Sequence, residues 1–307
     1  MPDPVAILGA MAAAGAVTAL VVLGFRRLGR GAAAGWPLAV GLGFLAGAAR
    51  LGFHPRGLLA TDQERLLLVV VPLAVAVEGW LALRPQSPAR AALLRGVVAL
   101  ASGPLLLLGS VYLTGGAGGW SAVERILYLV ALGMLILIPW LSLTLLQQRR
   151  AGPAIGMAIS ATSLAAGLTT MLSGYASAGQ LALPLAAALA TVALATRVVP
   201  SPGMPGAIGV GSICLAGLLV IGRFFGSLST LHGVLLGAAP LLCWLADWPP
   251  LGFLSIWPRR LLLATLTLLL LGTVVWQAQQ QFLKHSGSPV PGTAPAPSMQ
   301  DYLDFAR

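Results

Sequence analysis

Long apolar runs alternate with short polar breaks along the whole chain. About ten runs can be marked, at 4–24, 31–49, 66–83, 91–113, 122–146, 152–173, 181–199, 205–222, 227–246 and 259–280. Each is close to the roughly 20 helical residues that cross a hydrocarbon core of about 30 Å. The pattern predicts an all-α, polytopic transmembrane helical bundle over residues 1–280 and a tail over 281–307. In the tail, Pro289, Pro291, Pro295 and Pro297 predict an extended, disordered spacer. Beyond it, Tyr302, Leu303 and Phe305 restore apolar character. They make a candidate docking peptide, although a frayed terminus is the commoner outcome.

Composition agrees with the pattern. The chain has 307 residues, 58% of them hydrophobic, with a mean hydropathy of +0.91. A soluble domain is roughly 45–50% apolar. No hydrophilic stretch reaches the ~50 residues of a separate soluble domain. The net charge of +10 comes from 18 Lys and Arg against 8 Asp and Glu. In a soluble protein it would suggest nucleic acid. Here the arginines sit at the ends of apolar runs, where positive charge sets orientation, so no nucleic-acid partner is expected. The expected surroundings are the lipid bilayer of the cell membrane. Cys214 and Cys243 fall inside apolar runs and behave there as small hydrophobes, without a disulfide framework or metal cluster.

The order of charges suggests how the chain lies. Asp3 precedes the first run, and Arg26, Arg27 and Arg30 follow it. That is the reverse of a signal peptide, so a retained first helix with an outer N-terminus is expected. In this register Arg84, Arg90, Arg149, Arg150, Arg259 and Arg260 gather on the inner side. Asp62, Glu64, Glu124, Asp301 and Asp304 gather on the outer side, with fewer basic residues than the inner side. Both termini are then outside.

Three outer helix starts carry capping-box patterns: Thr61 to Glu64, Ser121 to Glu124 and Ser177 to Gln180. Two of them continue alike, as Glu64-Arg65-Leu66-Leu67 and Glu124-Arg125-Ile126-Leu127. This is either a trace of an internal repeat or the ordinary likeness of helix starts. Tryptophans fit interfacial belts, with Trp36, Trp80, Trp244, Trp248 and Trp257 inner and Trp120 and Trp276 outer.

Helices in lipid associate through small residues. Gly43 with Gly47, and Gly233 with Gly237, form GxxxG pairs. Thr162, Ala166, Thr169 and Ser173 share one face of the sixth run. That face predicts a close helix contact with interhelical hydroxyl bonds, or else a polar path through the bundle. Pro72, Pro104, Pro139 and Pro240 interrupt runs and can kink them. Broken helices often build transporter sites.

Little in the chain could carry chemistry. Glu78 is the carboxylate within a run, and an intramembrane ionisable group calls for a named partner. That partner is Arg95, because a hairpin turning near Ser87 brings the two to similar depth. The expectation is a structural ion pair near the inner interface, with snorkelling side chains. The alternative is a proton- or cation-coupling carboxylate.

His54, His232 and His285 read as solvated surface residues, so no haem, metal or other cofactor is expected. No Gly-x-Ser-x-Gly elbow, HExxH or phosphate-binding GxxxxGK[ST] occurs, and the glycines at 115, 116, 118 and 119 suit a flexible turn. An enzyme is therefore not expected. The leading expectation is a structural or accessory membrane subunit, with candidate protein partners at its Gly-rich helix faces or tail. The alternative is a small-solute transporter of a ten-helix type.

Overall fold

A computed structural model describes residues 3–27, 32–55, 57, 59–84, 86–114, 119–149, 152–199, 204–248 and 255–286. The long elements are α1 Pro4–Arg27, α2 Ala32–Arg50, α3 Asp62–Leu83, α4 Pro88–Leu106 and α5 Ala122–Arg149. They continue as α6 Ala154–Leu172, α7 Ala176–Ala195, α8 Pro205–Phe224, α9 Thr230–Asp247 and α10 Ile256–Ser286. Lipid offers backbone N–H and C=O groups no hydrogen-bond partner, which is why apolar segments of this length fold as helices that satisfy their own. Among the described residues, nine of these helices are long and apolar enough to cross a membrane. The 19-residue α2 lies among them, packed on α1, α3, α7 and α8. The chain is a multi-pass helical membrane protein.

The bundle is organised around α8, which touches every other helix from α2 to α9 and is buried along most of its length. On one flank α1, α2 and α7 pack closely. A Cβ at Gly43 would collide with Thr18 Oγ1 and lie 2.8 Å from Ala14 O, and one at Gly47 would collide with Pro184. Opposite them, α4 and α5 pack together, and α10 lies against α6 and the end of α9.

Helix boundaries depart from the sequence expectation where proline or tertiary contact intervenes. α3 contains a π turn at Leu66–Val70, where Val71 N–H donates to Leu66 O. Pro72 comes next, with no N–H to donate, so the widened turn sits where the regular ladder must lapse. α4 ends at Leu106 rather than 113: Pro104 is followed by Leu107 outside the helical region and by Gly109 at φ 71°. Gly109 has no Cβ to oppose that conformation. α9 tightens to a 3-10 helix over Ala239–Asp247, with Pro240 in its first turn.

The capping boxes divide two to one. Thr61 Oγ1 accepts from Glu64 N–H and Glu64 accepts from Thr61 N–H, while Ser121 and Glu124 do the same. The third box does not form. α7 begins at Ala176, and Ser177 Oγ instead accepts from Gln63 Nε2 at 2.8 Å. The two similar starts also diverge after the box, because α3 enters its π turn where α5 continues as α-helix. α10 runs past 280 to Ser286. The tail from 287 onwards, with Tyr302, Leu303 and Phe305, lies outside the described residues, as do Arg30, Arg150 and the glycines 115, 116 and 118.

Candidate functional site

Two places concentrate the unusual features of the bundle. In the first, Glu78 of α3 accepts two parallel bonds from Arg95 of α4, Nε to Oε1 and Nη2 to Oε2, both 2.8 Å. Trp140 of α5 donates its indole N–H to the same Oε1 at 2.6 Å. Glu78 is 1% exposed and Arg95 6%. The snorkelling expected from the sequence is therefore corrected. The hairpin matches the depths of the two residues, with Ser87 capping α4, but α5 and α8 close over the pair. Gly209 of α8 makes this closure possible, since a Cβ there would strike Glu78 Oε1 and come within 2.5 Å of Trp140 Nε1. A bidentate charged pair with a third donor compensates the loss of water at the carboxylate. It links three helices by hydrogen bonds, and both oxygens are already occupied.

The polar face of α6 closes on itself. Thr162 Oγ1 donates to Ala158 O, Thr169 Oγ1 to Ala165 O and Ser173 Oγ to Thr169 O, each 2.8 Å and each within the helix or its last turn. Ser160 is the hydroxyl that crosses to a neighbour, donating to Ala186 O of α7. Close packing with α7 is present: a Cβ at Gly167 would lie 2.8 Å from Gly179 O.

The histidines separate. His54 is exposed, with Nδ1 2.7 Å from Gly52 O. His232 is not the solvated residue expected: it is buried, with Nε2 3.1 Å from Gln277 Oε1 of α10. No group of three potential metal ligands occurs among the described residues. At the same end of the bundle, Tyr175 O–H lies 2.8–2.9 Å from both oxygens of Asp62. Its pKa is pushed up to about 12, first by burial and then by the Asp62 charge. Arg65 donates to Leu59 O, Ala60 O and Leu106 O, closing the end of α4. Trp36, expected at an interface, is buried.

The second place is a cavity of about 420 Å³ bounded by α5, α8 and α9, a size typical of small-ligand sites. α9 packs on α5 through its 3-10 stretch, and the two helices part toward Thr230. Gly233 and Gly237 face this gap: a Cβ at either would meet nothing closer than 3.7 Å. The pair read as a helix crossing thus lines a void. Pro139 and Pro240 line its deep part together with Leu143 and Ser212. Ser212 Oγ already donates to Ile208 O, so the deep wall is effectively apolar.

The opening is lateral. Among the lining residues, Tyr128, Leu135 and Val234 are 49%, 44% and 43% exposed, and they lie along lipid-facing helices. Around the shallow end stands an aromatic collar: Trp120 stacks on Tyr128 at 4.6 Å, and Phe224 meets Trp120 and Tyr112 edge-on at 5.6 and 5.2 Å. Arg223 lines the same end.

No family model matches the chain, and neither does any curated protein or solved structure. The ion pair could be anticipated from the sequence. The cavity has no comparable signature in the sequence: Trp120, Phe224, Arg223 and the Gly233–Gly237 pair are its signals, and they lie on separate segments.

Proposed function

We propose that this membrane protein is a non-catalytic accessory protein that holds an apolar chain drawn from the bilayer in its α5–α8–α9 cavity. The observation that carries this reading is the lateral opening of an apolar cavity onto a lipid-facing surface. An empty cavity of that kind forfeits dispersion contacts along its walls. A lipid chain restores them without entering water. From Ser212 to Arg223 the α8 wall rises about 16 Å, and from Leu143 to Tyr128 the α5 wall rises about 22 Å. That length suits an extended chain better than a compact solute.

The alternative, transport of a small polar solute, calls for polar groups free to replace hydration. Thr162 and Thr169 of α6 are bonded to carbonyls, and both Glu78 oxygens are engaged. These bonds support the accessory reading. A Gly237→Phe variant, which places a ring in the cavity, tests it. The chain and the variant are purified in mild detergent and weighed by native mass spectrometry. Retained lipid on the wild-type chain, lost in Gly237→Phe at unchanged thermal stability, is expected. Equal lipid retention by both would overturn the reading.

A further inference from the structure

We infer that the cavity selects a phosphate-headed anionic lipid, with one chain in the apolar bore and the headgroup at Arg223. This rests on the chain-holding reading above and adds the head chemistry to it. The bore and its mouth differ sharply. Inward of the collar the lining is aliphatic apart from Ser212. At the mouth stand Trp120, Tyr112 and Tyr128, ring types that gather at headgroup level because one end is apolar and the other wet, with Phe224 packed among them. Headgroup depth is thus marked on the protein itself, and Arg223 lies at that depth.

Arg223 is exposed and oriented. Its Nε donates to Thr230 Oγ1 at 2.8 Å, and its guanidinium carbon lies 5.9 Å from the Phe224 ring centre. These contacts fix the side chain through one of its five N–H groups. The terminal nitrogens carry the remaining donors, in the fork that matches a phosphate. Among the described residues no carboxylate pairs with it, and the cavity lining contains no acid. A cation placed beside an apolar bore, with no internal counter-ion, complements an amphiphile whose head is an anion.

A second basic residue supports the same polarity. Arg125 stands one turn before Tyr128, at the aromatic end of α5, just beyond the residues that line the cavity. Its Nε is buried without a hydrogen-bond partner. A buried donor left in that state costs free energy, which an anionic oxygen admitted at this end of the bundle would recover. Glu124, beside it, is turned to its own capping bond with Ser121.

The test uses full-length protein in nanodiscs with a photoactivatable acyl chain carried on phosphatidic acid or, in a parallel arm, on phosphatidylcholine. Labelled peptides are mapped by mass spectrometry. Labelling of peptides containing Leu135 and Val234 is expected to be about tenfold stronger with phosphatidic acid, the scale of one charge-assisted contact. The preference should fall toward parity in Arg223→Gln and Arg125→Gln, and persist in Arg223→Lys. Thermal unfolding of each variant guards against misfolding.

Equal labelling of the cavity by both lipids in the wild-type chain would overturn the headgroup inference and leave the chain-holding reading standing. Absence of cavity labelling by either lipid would overturn both. A preference unchanged by Arg223→Gln and Arg125→Gln would show the selection to lie elsewhere and remove the inference.

Discussion

Gly209 of α8 faces the carboxylate of Glu78 so closely that no Cβ fits between them. A glycine on one helix thereby determines whether an ion pair between two others can be sealed from lipid. Gly209→Ala is expected to cost about 1–3 kcal/mol, as overpacking does. Gly79→Ala is the control. It adjoins Glu78 in sequence but has nothing within 4 Å of its would-be Cβ. It should be neutral or stabilising by up to about 1 kcal/mol, the helix preference of Ala over Gly. Thermal unfolding in detergent compares the two, and equal losses would sink the close-approach account.

Removing one charge of the pair leaves the other buried. Glu78→Leu and Arg95→Met should each lower stability by about 3–5 kcal/mol. The double variant Glu78→Leu/Arg95→Met should lose clearly less than the two single losses combined, because no charge remains unpaired. A double-mutant cycle on unfolding free energies measures this. Additive losses would mean that the bonds seen between Glu78 and Arg95 are not energetically coupled.

The capping boxes make a local contrast. Thr61→Ala should weaken the start of α3 by about 1 kcal/mol. Faster amide exchange in residues 62–65 should accompany it. Ser177→Ala should leave the first turn of α7 as protected as before, since that hydroxyl accepts from Gln63 and caps nothing. Loss of protection there would restore the third box.

Tyr175 gives a pH dependence with a defined sign. Its folded pKa of about 12 lies above the ordinary value of 10.0, because burial and Asp62 disfavour the phenolate. Between those values the folded chain holds a proton that the unfolded chain has lost. The stabilisation is complete below pH 10 and drains away as pH rises toward 12. Melting temperature should therefore fall across that window, and Tyr175→Phe should flatten the fall. Phenolate absorbance should show a titration near 12 that vanishes in the variant.

The arginine bias leads us to place the Trp120 end of the bundle outside and the Arg84 end inside. A reporter active only in the cytoplasm should then be silent when inserted after 117 and active when inserted after 85. The opposite pattern would invert the orientation.

Much of the bundle was legible in the chain because lipid imposes a one-dimensional rule. A segment either carries enough apolar residues to cross or it does not, and backbone demand makes it a helix. The Glu78–Arg95 pairing followed from the same rule, since both residues lie on one hairpin whose turn could be counted. Trp140 and Gly209 could not be found that way. They are distant in sequence, and helix rotation about its own axis, set by packing, decides which residues meet. The Thr162, Thr169 and Ser173 face shows the limit of periodicity. Shared facing was readable, but only the structure shows those hydroxyls bonding back to their own helix.

Sequence alone thus determined the class, the approximate spans and the pairing of the buried charges, because hydrophobicity and chain length act locally. The tertiary structure decided which surfaces close and which stay open. Gly43 and Gly47 receive neighbouring helices, whereas Gly233 and Gly237 face a void, although both pairs have the same spacing. The difference arises because α9 parts from α5 toward Thr230. That divergence depends on contacts among several helices at once and is written in no single segment.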